Sequence, residues 1–346
     1  PGTGKTHLVN AAGLRLQEQA PHETVWLTSG SMLARAAGLA QASGRQGELL
    51  DFAAKARALI IDDVHTTGVA DHNADTIQKI VGSFLGAGRQ VIVSSLYASK
   101  HMGSLEAALG LRAEKAHVVE LKTPNDAAQQ AIGDAALSRM GLVPNGEEKD
   151  VFARGVVKDF TLLDDHLRRI SALAALGPPG APLGQILRDI FAPDGEPEPL
   201  SAEKVKSLLP AAPPPGNTPL VLFHPPDAEP HADLVLALAY EAAKSRGWAF
   251  PWKVIAKRPY PLDPPHAAPY LLAEECLRSG AAAALIVGPP PGTELAGQER
   301  LFRALSIRLL AEAGVPTAAV PFARVREKKQ GLFAYLDLAL RAGGRS

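Results

Sequence analysis

The sequence predicts an α/β protein with two parallel sheets. Two observations carry this. Strand-like and helix-like stretches alternate over residues 1–124, disappear over 125–191, and return after 217. Each strand-like stretch is a short apolar run and each helix-like stretch an amphipathic one, which is the rhythm of doubly wound α/β units. The expected organisation is a core over 1–124, a small helical unit over 125–191, a Pro-rich linker over 192–217, and a second Rossmann-like α/β unit over 218–346.

The first element follows a glycine-rich opening, PGTGKTHLVNAAG, and reads as a helix from Thr6 to about Gln19. ETVWLTS (23–29) reads as a strand, and an Ala-rich helical stretch runs to about Arg57. ALIIDDVH (58–65) is a buried parallel strand because its apolar run is unbroken until two carboxylates. A helix over 73–87 precedes a strand at RQVIVSSL (89–96), and HVVELKTP (117–124) reads as a fourth strand. Residues 125–191 hold only amphipathic helices. Residues 192–217 are rich in Pro at both ends, the composition of a semi-rigid spacer, with room for one short helix. Four β-α units then fill the remainder, beginning with the strand PLVLFHP.

Bulk properties narrow the classes. Lys plus Arg and Asp plus Glu both number 36, so no overall charge draws the chain to nucleic acid. No apolar run approaches the ~18 residues of a membrane span. Cys276 is the single cysteine, which excludes an internal disulfide or a cysteine metal cluster and suits a reducing cytoplasm. His224, His231 and His266 lack metal-ligand spacing and read as surface histidines. PPPGTE (289–294) lacks a Gly-Lys-Ser/Thr and reads as a Pro-Gly turn.

Gly2, Thr3, Gly4, Lys5 and Thr6 have the spacing of the second half of a phosphate loop. Its glycines let backbone N–H groups face phosphate oxygens, its Lys reaches the outer phosphates, and its hydroxyl ligates Mg²⁺. Alone, such a half-motif is also a glycine-rich turn capping a helix. Asp62 and Asp63 decide between the two. Carboxylates at the end of a buried strand are costly unless they meet a cation, and in phosphate-loop enzymes that cation is the Mg²⁺ of the nucleotide. The first glycine of the pattern would precede Pro1, and without its leading strand the loop is expected to bind nucleotide weakly.

GKTHLVNAAG, VWLTSGSML, ALIIDDVH, AGRQVIVSS and LRAEKAHVVELKTPN, in that order, resemble the AAA+ ATPase region of the bacterial replication initiator DnaA family over about residues 1–175. The resemblance implies an AAA+ parallel sheet with a helical lid, ATP and Mg²⁺ as cofactors, slow hydrolysis timing assembly on single-stranded or duplex DNA, and homo-oligomers through AAA+ interfaces. It makes Lys5 and Thr6 the Walker A pair, with His7 typical of the family. It makes Asp62 the Mg²⁺ acid and Asp63 the hydrolytic one. Ser95 falls beside the sensor-1 position, as a nucleotide contact or a strand-end hydroxyl, and Leu96 stands where the family has Asp. Arg112 falls near the arginine finger, or is a solvated arginine. Thr161 stands where a sensor-2 arginine belongs. These departures touch hydrolysis more than binding, so a nucleotide-gated module without hydrolysis is the first alternative. Arg35, Arg45, Lys55 and Arg57 correspond to the family's single-strand contact region but read here as a weakly basic amphipathic stretch. Nothing after 192 resembles the family's helix-turn-helix.

The last unit resembles the MID domain of prokaryotic Argonaute proteins through GVPTAAV (314–320) and ALRAGG (339–344). That resemblance implies a nucleic-acid 5′-end site, with Phe302 and Ser306 at the Tyr and Lys positions, Ala318 replacing Gln, and Arg341 keeping a charge. An unassigned Rossmann-like interaction domain is the other reading.

Overall fold

The structure is a computed structural model that describes residues 3–67, 71–97, 103, 107, 109–111, 115–158, 160–177, 182–192, 196–210, 212–264 and 267–342. The chain divides into two compact units, Pro1–Pro124 and Asn125–Ser346.

The first unit is built on a parallel sheet in the order β1-β2-β3, with β1 at Thr24–Ser29, β2 at Ala56–Asp62 and β3 at Gln90–Val93. The middle strand is the apolar run seen in the sequence, and Ala58 to Ile61 have no exposed surface. Burying each large aliphatic chain stabilises by about 1.5–3 kcal/mol, which places this strand at the centre of the sheet. Alternation along β2 divides the helices between the faces. Ile60 meets α1 (Lys5–Gln19) at Gly13, where an added Cβ would lie 3.1 Å from the Ile60 side chain. Leu59 and Ile61 join the core formed with α2 (Gly30–Ala42) and α4 (Asp71–Gly86).

α3 (Gln46–Lys55) is separate from α2 because the chain turns through Gly44, whose φ is 68°. Arg89 joins α3, β2 and α4. Its guanidinium donates to the carbonyls of Ala53 at 2.9 Å, Ala56 at 2.6 Å and Ser83 at 3.0 Å, and lies 4.1 Å over the Phe84 ring. It thereby ties the ends of α3 and α4 to the start of β2.

Two strand expectations are corrected. β2 and β3 end earlier than the sequence suggests, since the chain leaves β2 at Asp63 in a left-handed conformation (φ 49°) and enters a 3₁₀ turn at Val64–Thr67. HVVELKTP does not form a fourth strand. Residues 117–121 are irregular, and Val118 and Val119 are 60% and 72% exposed. A cavity separates this segment from β3, so it has no strand edge to bond.

In the second unit the sheet order is β5-β4-β6-β7, all parallel, with β4 at Thr218–His224, β5 at Trp252–Pro259, β6 at Ala283–Val287 and β7 at Thr317–Val320. The helices expected as a separate lid belong to this unit. These are α5 (Asp126–Arg139), α6 (Gly146–Lys158), α7 (Leu163–Leu176) and α8 (Leu183–Phe191). Their apolar faces share one core with β4 and β6, joining Phe152, Ile170 and Ile190 to Leu220 and Leu285. The linker is likewise packed down. It contains α9 (Ala202–Leu208), buries Leu200 and Val205, and bonds Glu198 N–H to the Ala323 carbonyl at 3.0 Å.

Two polar contacts hold these layers. Arg169 of α7 makes a bidentate pair with Asp337 of the last helix (Lys328–Ala342), at 2.9 and 2.7 Å, with its guanidinium 4.1 Å over Phe333. Both side chains are largely buried, at 9% and 16% exposure. His231, in the first turn of α10 (Glu229–Lys244), stacks on Phe322 and bonds the Leu200 carbonyl at 2.8 Å through Nε2. His224, at the end of β4, bonds the Pro225 carbonyl at 2.8 Å. Both histidines are buried, which corrects the surface reading, and His266 lies outside the described residues. Burial pushes the His231 imidazole below its ordinary value, with the nearby His224 adding to the effect and backbone bonds to Leu200 and Ala228 opposing it.

Arg169→Ala or Asp337→Ala is expected to destabilise the second unit by about 3–5 kcal/mol, because each leaves a buried charge unpaired. Urea unfolding followed by Trp248 and Trp252 fluorescence measures it. A second expectation concerns pH. His231 is held neutral by the fold, so its contribution is complete above about pH 6.5, its unfolded value, and is lost as the pH falls below it. Unfolding midpoints at pH 7.5 and 5.5 should therefore differ, and His231→Phe should flatten the difference.

Candidate functional site

α1 begins at Lys5 because Gly4 supplies a left-handed N-cap, with φ 83°, that a side chain rarely adopts. The helix so placed presents Lys5 and Thr6 at its positive end, where an anion is favoured. Lys5 Nζ donates to Thr3 Oγ1 at 2.9 Å. Thr6 Oγ1 donates to Asp62 Oδ2 at 2.9 Å, across 56 residues of sequence. The other carboxylate oxygen, Oδ1, accepts from Ser94 Oγ at 2.5 Å, and Ser94 Oγ accepts from the Asp63 N–H at 2.8 Å. A hydroxyl from the loop, an acid from β2 and a hydroxyl from the residue after β3 thus form one chain. The 6% exposure of both Asp62 and Ser94 makes every bond in it matter.

Past its N–H, the Asp63 backbone leaves this chain. Its left-handed backbone sends its carbonyl to Thr66, which donates from N at 2.8 Å and from Oγ1 at 2.7 Å. Gly30 opens α2 against the same turn. A Cβ there would stand 2.7 Å from the Asp63 carbonyl and 2.9 Å from the Thr67 N. The carboxyl end of β2 therefore has a fixed shape, set by contact with α2.

The remaining expected residues fall as follows. His7 is exposed on α1, and Gly2 and Arg112 lie outside the described residues. Ser95 does not reach Asp62. Its hydroxyl accepts from the Tyr97 N–H at 3.0 Å, a local turn, and the residue lines a cavity beside β3. Ser94 holds the position beside the acid, and the sequence reading missed it by one residue. The pairing register supplies the signal, since Ile61 lies opposite Val93 and the residues that follow are Asp62 and Ser94. Leu96 sits in the following turn with its N–H 3.5 Å from His65 Nδ1. The side chain of Thr161 is outside the described residues. Among the four cations of the 30–57 stretch, Arg45 pairs with Glu48 and Arg57 with Glu23.

A cavity of about 660 Å³ adjoins Lys5 and runs between β3 and residues 116–121. It is mainly apolar.

The second unit offers less. In a sheet of this order, ligands enter the crevice at the carboxyl ends of the strands where the winding reverses, here between β4 and β6. Tyr260 fills that crevice. Its N–H donates to the His224 carbonyl at 3.0 Å and its hydroxyl to the Val287 carbonyl at 2.7 Å. Phe302 packs on the Tyr260 ring, and Ser306 has no exposed surface, so neither faces a 5′ phosphate. The side chain of Arg341 is outside the described residues. PPPGTE is a turn with Gly292 at φ 85° and Thr293 capping a short helix. Burial pushes the Cys276 thiol up to about 12, which removes thiolate chemistry at neutral pH. Among the described residues no cluster of three His, Cys, Asp or Glu is placed to hold a metal, and no helix is long and apolar enough to cross a membrane.

Residues 1–120 match the family model of the bacterial DnaA ATPase domain. The chain is 27% identical over 197 residues to the chromosomal replication initiator protein DnaA of Thermus thermophilus, covering 56% of this chain and 45% of that protein. It is 26% identical over 178 residues to the same protein of Chloroflexus aggregans, covering 51% and 37%. The chain thus spans less than half the length of these relatives. Among solved structures, domain III of the Thermotoga maritima replication initiation protein DnaA aligns at a TM-score of 0.46 and 19% identity, covering 55% of this chain and 81% of that one. AMPPCP-bound DnaA from Aquifex aeolicus aligns at 0.38 and 19%, covering 54% and 67%.

Ser94→Ala is expected to destabilise the first unit by about 1–3 kcal/mol, since it strips a buried acid of one donor and the Asp63 N–H of its acceptor. Ser95→Ala should stay within about 0.5 kcal/mol. Hydrogen exchange of the β2 amides measures both.

Proposed function

We propose that residues 1–120, a DnaA-type AAA+ domain, bind Mg-ATP at the Lys5–Thr6 helix end, and that slow hydrolysis there controls assembly of the chain on DNA. The observation that carries this reading is the Thr6–Asp62 contact. It joins the first turn of a glycine-led helix to an acid at the end of a buried strand, and phosphate-loop enzymes require that juxtaposition.

The donor set suits the metal. A hydroxyl and a carboxylate at hydrogen-bond distance are hard oxygen ligands of the kind Mg²⁺ takes alongside waters and phosphate oxygens. Thr6 and Asp62 would hold the ion, which neutralises phosphate charge when bound. Lys5, beside the loop, would contribute a further positive charge. Ser94 keeps the Asp62 carboxylate oriented, and Asp63 is the acid assigned to positioning water. The backbone N–H groups of Thr3 and Gly4 would be donors to the phosphate oxygens.

Hydrolysis is slow on this reading because Leu96 offers no side-chain group to polarise water where the family carries Asp. The same observation supports the nucleotide-gated alternative in which ATP is bound and not turned over. DNA as partner, self-association through AAA+ interfaces and a role in replication initiation come from the relatives and are part of the proposal.

Calorimetry with Mg-ATP tests the binding. Lys5→Ala is expected to lose about 10- to 100-fold in affinity, the equivalent of one charge-assisted bond of about 1.5–3 kcal/mol. Equal affinity for the two proteins would overturn the reading. Turnover in the presence of DNA that disappears in Asp63→Asn selects the hydrolytic form, and ATP binding without turnover selects the gated one.

A further inference from the structure

We infer that His65 is a positioning residue of the nucleotide site. Its ring nitrogen stands in for a backbone carbonyl and latches the turn after β3 to the turn after β2. The consequence for Mg-ATP rests on the nucleotide reading above; the latch does not.

The need for a latch follows from the register. β2 and β3 run parallel with Ile61 opposite Val93. One further backbone bond follows, from the Ser94 N–H to the Ile61 carbonyl at 3.0 Å. In a parallel ladder, successive donors on one strand lie two residues apart, and so do their acceptors. The next bond would therefore run from the Leu96 N–H to the Asp63 carbonyl. That carbonyl points elsewhere. Asp63 leaves the strand at φ 49°, and its oxygen accepts from the N–H and the hydroxyl of Thr66. The diversion deprives the Leu96 N–H of its ladder partner, and the nitrogen instead meets His65 Nδ1 at 3.5 Å.

The neighbours of His65 in the 3₁₀ turn have other tasks. Val64 carries no side-chain acceptor, and the buried hydroxyls of Thr66 and Thr67 donate to the carbonyls of Asp63 and Val64 at 2.7 and 2.8 Å. The imidazole also meets the edge of the Tyr97 ring, with centroids 5.4 Å apart and planes at 88°. It thus touches the facing turn at two successive residues. A backbone N–H can only donate, so Nδ1 accepts and the ring proton belongs on Nε2.

The base of the latch is fixed and its far end is useful. Gly30 of α2 stands against the base, where a Cβ would lie 2.7 Å from the Asp63 carbonyl and 2.8 Å from Thr66 Oγ1. The far end leads back to Ser94, two residues before Leu96. Ser94 Oγ donates to Asp62 Oδ1, and its carbonyl accepts from the Val64 N–H at 2.8 Å. A turn free to shift at Leu96 carries Ser94 with it and loosens the carboxylate that would hold Mg²⁺. Groups that orient a metal ligand from behind govern its affinity without touching the metal. His65 acts one bond further back.

The test compares the unaltered full chain with His65→Leu and His65→Asn. Leucine keeps the bulk and removes the acceptor, whereas asparagine places Oδ1 close to where Nδ1 stood. Amide exchange at Leu96 reports the latch. Calorimetry with Mg-ATP, and with ATP in EDTA, reports the metal site. His65→Leu is expected to speed Leu96 exchange about threefold or more and to lower Mg-ATP affinity about three- to tenfold. Metal-free ATP affinity should stay the same, since Lys5 and the loop are untouched. His65→Asn should return both quantities to within about twofold of the unaltered chain. A histidine that only fills space gives the opposite order, because leucine fills it better than asparagine.

Equal Leu96 exchange in all three chains overturns the proposal. Faster exchange with unchanged Mg-ATP affinity, or with an equal loss in EDTA, keeps the latch and overturns its link to the metal site. No Mg-ATP binding by the unaltered chain overturns the nucleotide reading, and the latch is then decided by Leu96 exchange alone. Should His65→Leu fail to fold, nitrogen-15 spectra of the unaltered protein decide. A proton on Nε2 with Nδ1 bare supports the latch, and a proton on Nδ1 sinks it.

Discussion

A carboxylate at the end of a buried strand is an electrostatic liability, and the first unit is arranged around meeting it. Asp62 must end β2 because the four residues before it fill the centre of the sheet. Its two oxygens then need donors, and Thr6 of α1 and Ser94, the residue after β3, supply them. The satisfaction of one buried charge thereby fixes the positions of α1, β2 and β3 together. The same fixed geometry places a hydroxyl, an acid and a helix's positive end at one point, which is what an Mg²⁺-bound phosphate chain requires.

The second unit solves a related problem with opposite consequences. Its winding also creates a crevice at the carboxyl ends of the strands. Tyr260 bridges the carbonyls of His224 and Val287 there, so backbone groups that elsewhere greet a ligand are satisfied internally. The helices over 126–191 complete that unit's core. Within it, Arg169 of α7 pairs with Asp337 of the last helix.

Much of the first unit was legible in the sequence because its signals are local. An unbroken apolar run ending in two acids needs no knowledge of neighbours to read as β2, and Gly4-Lys5-Thr6 reads as a helix start by spacing alone. What escaped was relational. Ser94 and Ser95 are indistinguishable until the register of β2 against β3 is known. Val118 and Val119 have strand composition, yet a strand exists only when an edge is available to bond it. His231 carries no sign in the sequence that Phe322 and the Leu200 carbonyl, both distant in the chain, will bury it. The allegiance of residues 126–191 was missed for the same reason, since an amphipathic face states that it will be covered and not by what.

The pair between Arg169 and Asp337 joins positions 168 residues apart. On a ribosome that separation becomes time. At about 5–20 residues per second, the helix bearing Arg169 is made roughly ten to thirty seconds before its partner emerges. The first unit's buried chain from Thr6 through Asp62 to Ser94 crosses 56 and then 32 residues, a shorter wait. The two halves of the polypeptide thus mature on different clocks. The later one holds an unpaired guanidinium and uncovered apolar helices until the last helix arrives, and that interval is when chaperones have most to do.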